Sequence, residues 1–304
     1  LTKKSKTIVI LAGPTAVGKT DFSIQLAKRF QTEIISADSR QFYKEMEIGT
    51  AKPTEEEMDG VPHHFINSRS IHDEYNVGQF EKDALYLLDN LFQKHDIVFV
   101  VGGSGLYVKA LCAGIHDMPS IPSEIRQKLN FEFEQNGIDF LQQEVIKCDP
   151  EYFEIVDQQN PQRLIRALEL YHATGKNMSY YRAQKNEIDR PFNIIKIGLE
   201  RPREELYDRI NLRMDDMILD GLFEEAEKLY PYKNLNALQT VGYSEIFGFL
   251  DGDYDREEAV RLLKRNSRRY AKRQMTWFKR DSEFVWFSAE GKDKVIDYLE
   301  SKIS

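Results

Sequence analysis

The chain has 304 residues, a net charge of −8, 41% hydrophobic and 30% charged residues, a composition of globular proteins with room for one large domain or two smaller ones. No stretch approaches the ~20 apolar residues of a membrane span, and the N-terminal run TIVILA is too short for a signal peptide. Cys112 and Cys148 share no C-x-x-C spacing and read as reduced thiols, so the expected location is cytoplasmic.

Residues 7–12, TIVILA, form a continuous apolar, β-branched run that predicts a buried parallel strand. GPTAVGKT (13–20) follows, and then a helix with Phe22, Leu26, Ala27 and Phe30 at helical spacing. EIISA (33–37) predicts a second strand ended by Asp38 and Ser39. A helix over 79–94 leads into a third strand, IVFVV (97–101), which stops at GGSGLY. Residues 123–185 carry helical patterning only, and Pro161 and Gly175 bracket one helix. FNIIKIGL (192–199) and FVWF (284–287) are further strands. Strands alternating with helices predict an α/β fold: a P-loop-type doubly wound, mostly parallel sheet with ligands at the carboxyl ends of its strands. An all-helical subdomain, residues 118–190, is expected to be inserted into a core of 1–117 and 191–304, entered near MPSIPS (118–123) and left near DRP (189–191).

The loop Gly13, Pro14, Thr15, Ala16, Val17, Gly18, Lys19 and Thr20 matches G-x-x-x-x-G-K-T between a strand and a helix. Its glycines let successive N–H groups turn inward, Lys19 adds a point charge, Thr20 offers a hydroxyl to Mg²⁺, and the helix presents its positive end. It therefore binds phosphates, without identifying their owner. Asp38 sits on the same edge of the sheet and can ligate magnesium, act as a general base, or cap a turn. Ser39, Arg40 and Gln41 form a polar run suited to a base edge or a solvated loop. Many P-loop nucleotidases end the third strand in an acid; here it ends in Gly102-Gly103-Ser104-Gly105, which disfavours ATP hydrolysis.

Residues 261–280 hold nine Lys or Arg and no acid, leaving −17 on the other 284 residues. Arg261, Arg265, Arg268, Arg269 and Lys272 share one helical face, with Leu262, Leu263, Tyr270, Trp277 and Phe278 roughly opposite. The pattern predicts a positive stripe for a phosphate backbone. Arg163 and Arg166 could add a second contact, while Arg209 and Arg213 could reach the loop or pair with Glu205 and Asp216. His63-His64 lacks companion ligands at metal spacing and reads as structural.

Together GPTAVGKT, ADSRQFYKEMEIGTAKP (37–53), VGGSGLYVKAL (101–111), NPQRLIRALE (160–169), VGYSEI (241–246) and AKRQMTWFK (271–279) resemble the tRNA dimethylallyltransferase family in its short bacterial form, from about residue 8 to 280. The resemblance implies that the loop holds the diphosphate of dimethylallyl diphosphate, with Lys19, Thr20, Mg²⁺ and Arg213 on the leaving group. Asp38 would accept the proton of the exocyclic amine of the adenosine 3′-adjacent to the anticodon. Ser39, Arg40, Gln41 and Ser104 would touch that nucleotide. Gln162, Arg163, Leu164, Ile165 and Arg166, with Arg126, would contact the anticodon stem-loop, and Arg268, Arg269 and Lys272 the tRNA backbone. The expected partners are tRNA and dimethylallyl diphosphate, with no membrane, and the expected state is a monomer. Departures are Arg40, Phe42, Glu45 and Glu47, where Met, Val, Gly and Asp are usual, Val17 for serine, and Ser104 for threonine. The rival readings are a small-molecule or nucleoside kinase, whose ATP the loop would hold, and a non-catalytic RNA-binding module.

Overall fold

The computed structural model describes residues 6–115, 118–119, 121–184 and 190–303. Six strands, β1 (Thr7–Ala12), β2 (Ile34–Ser36), β3 (His63–His64), β4 (Ile97–Gly102), β5 (Asn193–Glu200) and β6 (Val285–Ser288), form one parallel sheet in the order β3-β2-β4-β1-β5-β6. β1 is buried along its whole length because helices cover both faces, which is why it reads as unbroken apolar sequence. Its alternate side chains enter two cores. Ile8, Ile10 and Ala12 pack with Phe80, Leu88 and Phe278. Val9 and Leu11 pack with Phe22, Leu26 and Leu199.

β1 lies between β4 and β5, with β2 and β3 beyond β4 and β6 beyond β5, so the strand order reverses beside β1. That switch point opens a crevice at the carboxyl edge, where the loop after β1 and the turns after β2 and β4 meet. The edge strand β3 was not foreseen. It is two residues long, and its histidines face a carboxylate: His64 Nε2 lies 2.6 Å and His95 Nε2 3.2 Å from the two oxygens of Glu33, while His63 Nδ1 lies 2.8 Å from the Val61 carbonyl. The histidine pair is thus structural, and no group of three metal-ligating side chains occurs among the described residues.

The chain divides into two compact units, Leu1–Ala113 with Asp189–Ser304, and Gly114–Ile188; Ser120 and Asp189, within the expected entry and exit segments, lie outside the described residues. Among its described residues the second unit contains helices and no strand. Ser123–Cys148 breaks at Gly137, and Pro161–Thr174 starts on proline under an Asn160 cap and stops at Gly175 in a left-handed conformation. Leu129, Leu141, Val145, Leu164, Ile165 and Leu168 form its own core.

Candidate active site at the carboxyl edge of the sheet

The loop from Gly13 to Gly18 joins β1 to the helix Lys19–Phe30. Gly18 has φ 106° and no side chain caps the helix, so the N–H groups of its first turn remain available to an anion. Arg201 Nε donates to the Val17 carbonyl at 2.9 Å and Arg209 Nε to the Ala16 carbonyl at 2.9 Å. With the Val17 carbonyl held outward, the trans peptide directs the Gly18 N–H the opposite way, into the loop. The Val17 side chain is fully buried in the core; only its backbone can serve a phosphate, and the missing serine hydroxyl leaves the loop intact.

Lys19 folds back, its ammonium donating to the carbonyls of Gly13 at 3.0 Å and Pro14 at 2.8 Å. Desolvation pushes it down to about 8, with Asp38 opposing and Arg213 assisting. Arg213 stands over the same loop. Its Nη1 donates to Thr15 Oγ1 and its Nη2 to the Ala51 carbonyl, both at 3.4 Å, and burial lowers its pKa against the pull of Asp38. Two desolvated cations and one carboxylate thus converge on the loop, which is the charge pattern of an anion site completed by ligand.

Asp38 Oδ1 accepts the Arg40 N–H at 2.9 Å, the turn-capping role available to any such aspartate. That bond orients the carboxylate, whose charge acts on both Lys19 and Arg213. Ser104 Oγ accepts from the Ser39 N–H at 2.9 Å, donates to Ser39 Oγ at 3.2 Å, and meets the Tyr270 hydroxyl. Burial, then the charge of Asp38, pushes the Tyr270 phenol up to about 12, so it stays a donor at neutral pH. Arg40 Nη1 donates to the Asn236 carbonyl at 2.9 Å. Gln41 is occupied by protein: it accepts from Ser36 Oγ at 3.0 Å and donates to the Thr50 and Ala51 carbonyls at 3.4 and 3.3 Å. Through these bonds its amide holds the IGTA turn.

That turn is anchored by a residue not foreseen from sequence. Glu225 accepts the N–H groups of Glu47, Ile48 and Gly49 at 3.0, 2.8 and 2.9 Å and the hydroxyl of the fully buried Tyr243 at 2.6 Å. IGTAKP and VGYSEI are therefore two halves of one device, and it delivers the Ala51 carbonyl to Arg213. Phe42 is fully buried among Phe65, Tyr75, Phe80 and Tyr107, and Glu45 binds Ser70 Oγ at 2.6 Å and the Ile71 N–H at 3.0 Å. Both departures from the family pattern are packing matters.

Gln274 is the second residue sequence reasoning missed. It is buried on the helix Arg256–Phe278, accepts the Thr15 N–H at 2.9 Å and donates to the Gly103 carbonyl at 3.0 Å. A Cβ on Gly103 would collide with its amide nitrogen, so the second glycine turn exists to let this side chain through. A signal was present: Leu263, Ser267, Ala271, Gln274 and Phe278 share the buried phase of the helix, and a glutamine in that phase needs partners.

The basic face differs from the expectation in detail. Arg268 is half-buried and donates to Asn211 Oδ1 at 2.5 Å, Arg265 is half-buried against Asn266, and Arg261 binds Glu258. Trp277, expected on the packed side, is 38% exposed. The packed stripe, Leu263, Ser267, Ala271, Gln274 and Phe278, is centred one position away from the expected one. Arg269 and Lys272 are exposed, and their side chains have no protein partner among the described residues.

In the helical unit, Leu164 and Ile165 are fully buried, so their side chains belong to that unit's core. Gln162, Arg163 and Arg166 remain at the surface. Arg126 donates to Gln162 Oε1 at 2.8 Å, and Arg126 and Arg166 share the buried carboxylate of Glu169 at 3.4 and 3.2 Å.

The IPP transferase family matches residues 41–281. The chain is 53% identical over 299 residues to the tRNA dimethylallyltransferase of Cytophaga hutchinsonii, covering 98% of each. It is 53% identical over 301 residues to that of Christiangramia forsetii, covering 99% of each. The crystal structure of a full-length tRNA isopentenylpyrophosphate transferase from Bacillus halodurans superposes with a TM-score of 0.72 at 38% identity, covering 99% of this chain and 97% of that one. A eukaryotic dimethylallyltransferase caught acting on tRNA superposes with a TM-score of 0.75 at 29% identity, over 94% of this chain and 74% of that one. A sheet with this crevice, a phosphate loop facing Asp38, and relatives matched along their full length leave one assignment: the chain belongs to the IPP transferase family.

Proposed function

We propose that this protein transfers the dimethylallyl group of dimethylallyl diphosphate to the exocyclic amine of the tRNA adenosine 3′-adjacent to the anticodon, releasing diphosphate. The observation that carries the reading is the convergence of Lys19, Arg213 and Asp38 on one phosphate loop, in a chain whose relatives are named for this reaction. The amine lone pair forms a bond to the first carbon of the prenyl group as the carbon–oxygen bond to diphosphate breaks. The diphosphate leaves with that electron pair, and Asp38 takes the amine proton as positive charge builds on nitrogen. Loop N–H groups, Lys19 and Arg213 stabilise the leaving group's growing charge. Ser39, Ser104 and Tyr270 supply hydroxyls for orienting a base, which must leave its stack to reach them.

The Thr20 hydroxyl, at the head of the helix after the loop, is an oxygen donor that suits magnesium and would hold it, with substrate phosphates and waters completing a site that needs few protein ligands. When bound there, Mg²⁺ would neutralise diphosphate charge. The surface arginines Arg126, Arg163 and Arg166 and the exposed cations of the basic helix would hold the anticodon stem-loop through its phosphates. No helix among the described residues is long and apolar enough to cross a membrane. The kinase alternative is not favoured, since β4 ends without an acid and the relatives are prenyltransferases.

The test is to incubate the protein with Mg²⁺, labelled dimethylallyl diphosphate and unmodified tRNA, without ATP. Label recovered on the adenosine beside the anticodon supports the reading. ATP turnover with no label in any suitable tRNA overturns it.

A further inference from the structure

A cavity of about 370 Å³ lies in the first unit, away from the phosphate loop, between the helix Gly105–Ala113 and the end of the helix Arg256–Phe278. Its walls include Val108, Cys112, Phe278 and Phe284, and Trp277 lines it with an indole that is 38% exposed. The size suits one ring system with its sugar rather than a long chain.

Two features give the cavity a direction. First, the Trp277 indole lies directly on Gly105, where any Cβ would collide with it. Gly105 follows Ser104, whose hydroxyl meets Ser39 and Tyr270 at the site of chemistry. The exposed ring is therefore next to the residues that face the reacting nucleotide. Second, Lys109 and Arg280 line the same cavity, are exposed, and have no side-chain partner among the described residues. Lys196, in the same lining, is by contrast engaged by Asp281 and Glu283, and Lys279 by Glu200. Free positive charge flanking an available aromatic face is the pattern that holds an unstacked nucleotide, ring on ring and phosphate on cation.

Granted the RNA substrate proposed above, on which this inference rests, we infer that the cavity binds a nucleotide flanking the modified adenosine, its base against Trp277 and its phosphate between Lys109 and Arg280. A neighbour held out of the stack would help the target base to leave it.

The chain has two tryptophans, so a Trp286→Phe protein reports on Trp277 alone. It is titrated with fluorescein-labelled anticodon stem-loop RNA, intact or with an abasic nucleotide on one or the other side of the target. Anisotropy reads binding and indole emission reads stacking. The expected result is quenching by the intact RNA, with one abasic RNA binding roughly 10- to 100-fold more weakly and leaving the emission unchanged. Trp277→Ala should weaken the intact RNA by a similar factor and that abasic RNA hardly at all. Normal binding of all three RNAs with unchanged emission would overturn the inference, whereas no binding of any RNA would overturn the RNA reading beneath it. Lys109→Gln with Arg280→Gln, both surface changes, should flatten the salt dependence of binding by about 1.4 in the log–log slope; an unchanged slope removes the phosphate contact.

Discussion

Gln274 offers the sharpest test of how this site is built. Replacing it by leucine keeps its bulk and removes both hydrogen bonds that tie the basic helix to the two glycine turns. The Gly103 carbonyl is left buried without a partner, at a cost of about 1–3 kcal/mol, while the half-exposed Thr15 N–H can turn to water for less than about 1 kcal/mol. The sum is about 1–4 kcal/mol, or a fall in Tm of roughly 2–6 °C in a chain of this size. Gln274→Glu separates this from electrostatics. It keeps an acceptor for Thr15 but sets a negative charge near the phosphate loop, where a like charge ~7 Å away costs on the order of 2 kcal/mol at an effective dielectric of 20. Thermal melts read the first effect; KM for dimethylallyl diphosphate and Kd for tRNA, measured separately, read the second. The expected pattern is a lower Tm in the leucine variant, a more than tenfold rise in donor KM in the glutamate variant, and tRNA affinity within about twofold in both. If Gln274→Leu melts like the parent, or if tRNA and donor affinity fall together, the bridge does not hold the loop as argued.

Three further outcomes follow from the same geometry. Asp38→Asn preserves an acceptor for the Arg40 N–H while removing the base, so tRNA binding should persist and single-turnover transfer should drop about 10²- to 10⁴-fold; near-normal transfer would reduce Asp38 to a turn cap. Lys19, at about 8, should lose its charge above that pH, so calorimetric affinity for diphosphate should weaken as pH passes 8, with the break absent in Lys19→Met. From pH 8 to 10.5 the unfolded chain binds more protons at this residue than the native one, so Lys19's contribution to stability should rise over the window in which affinity falls; parallel trends in melts and binding would refute the assignment. Arg269→Ala with Lys272→Ala should flatten the salt dependence of tRNA binding by roughly 1.5 to 2 in slope, whereas Arg268→Ala should mainly lower stability, because that guanidinium is held by Asn211; a slope that changes only with Arg268 would reverse this picture.

The strand–loop–helix of residues 7–30, the parallel order of the sheet's main strands and the helical character of 123–184 were legible in the sequence because local patterning decides them. A strand buried on both faces must be apolar throughout, Gly18 takes the left-handed turn into the helix after the phosphate loop, and proline and glycine bracket the helix 161–174. The same reasoning placed Asp38 at the edge that carries the loop, since consecutive parallel strands end on one side. It failed for β3, whose two histidines carry no strand signal; His64 is held by Glu33, a partner about thirty residues away, and His63 by the Val61 carbonyl. Gln41 and Glu225 were equally out of reach. Whether a polar side chain meets a base edge or the protein's own backbone depends on which distant turn folds against it, and only the packed chain brings Glu225 to the N–H groups of Glu47, Ile48 and Gly49. Leu164 and Ile165 lie inside a polar-flanked motif but are core, because helical phase, not neighbourhood in sequence, sets which side chains reach solvent. Sequence determined which chemistry the edge of the sheet could hold; tertiary packing alone decided which polar groups remain free to perform it, since each hydrogen bond made within the fold removes a donor or acceptor from the ligand.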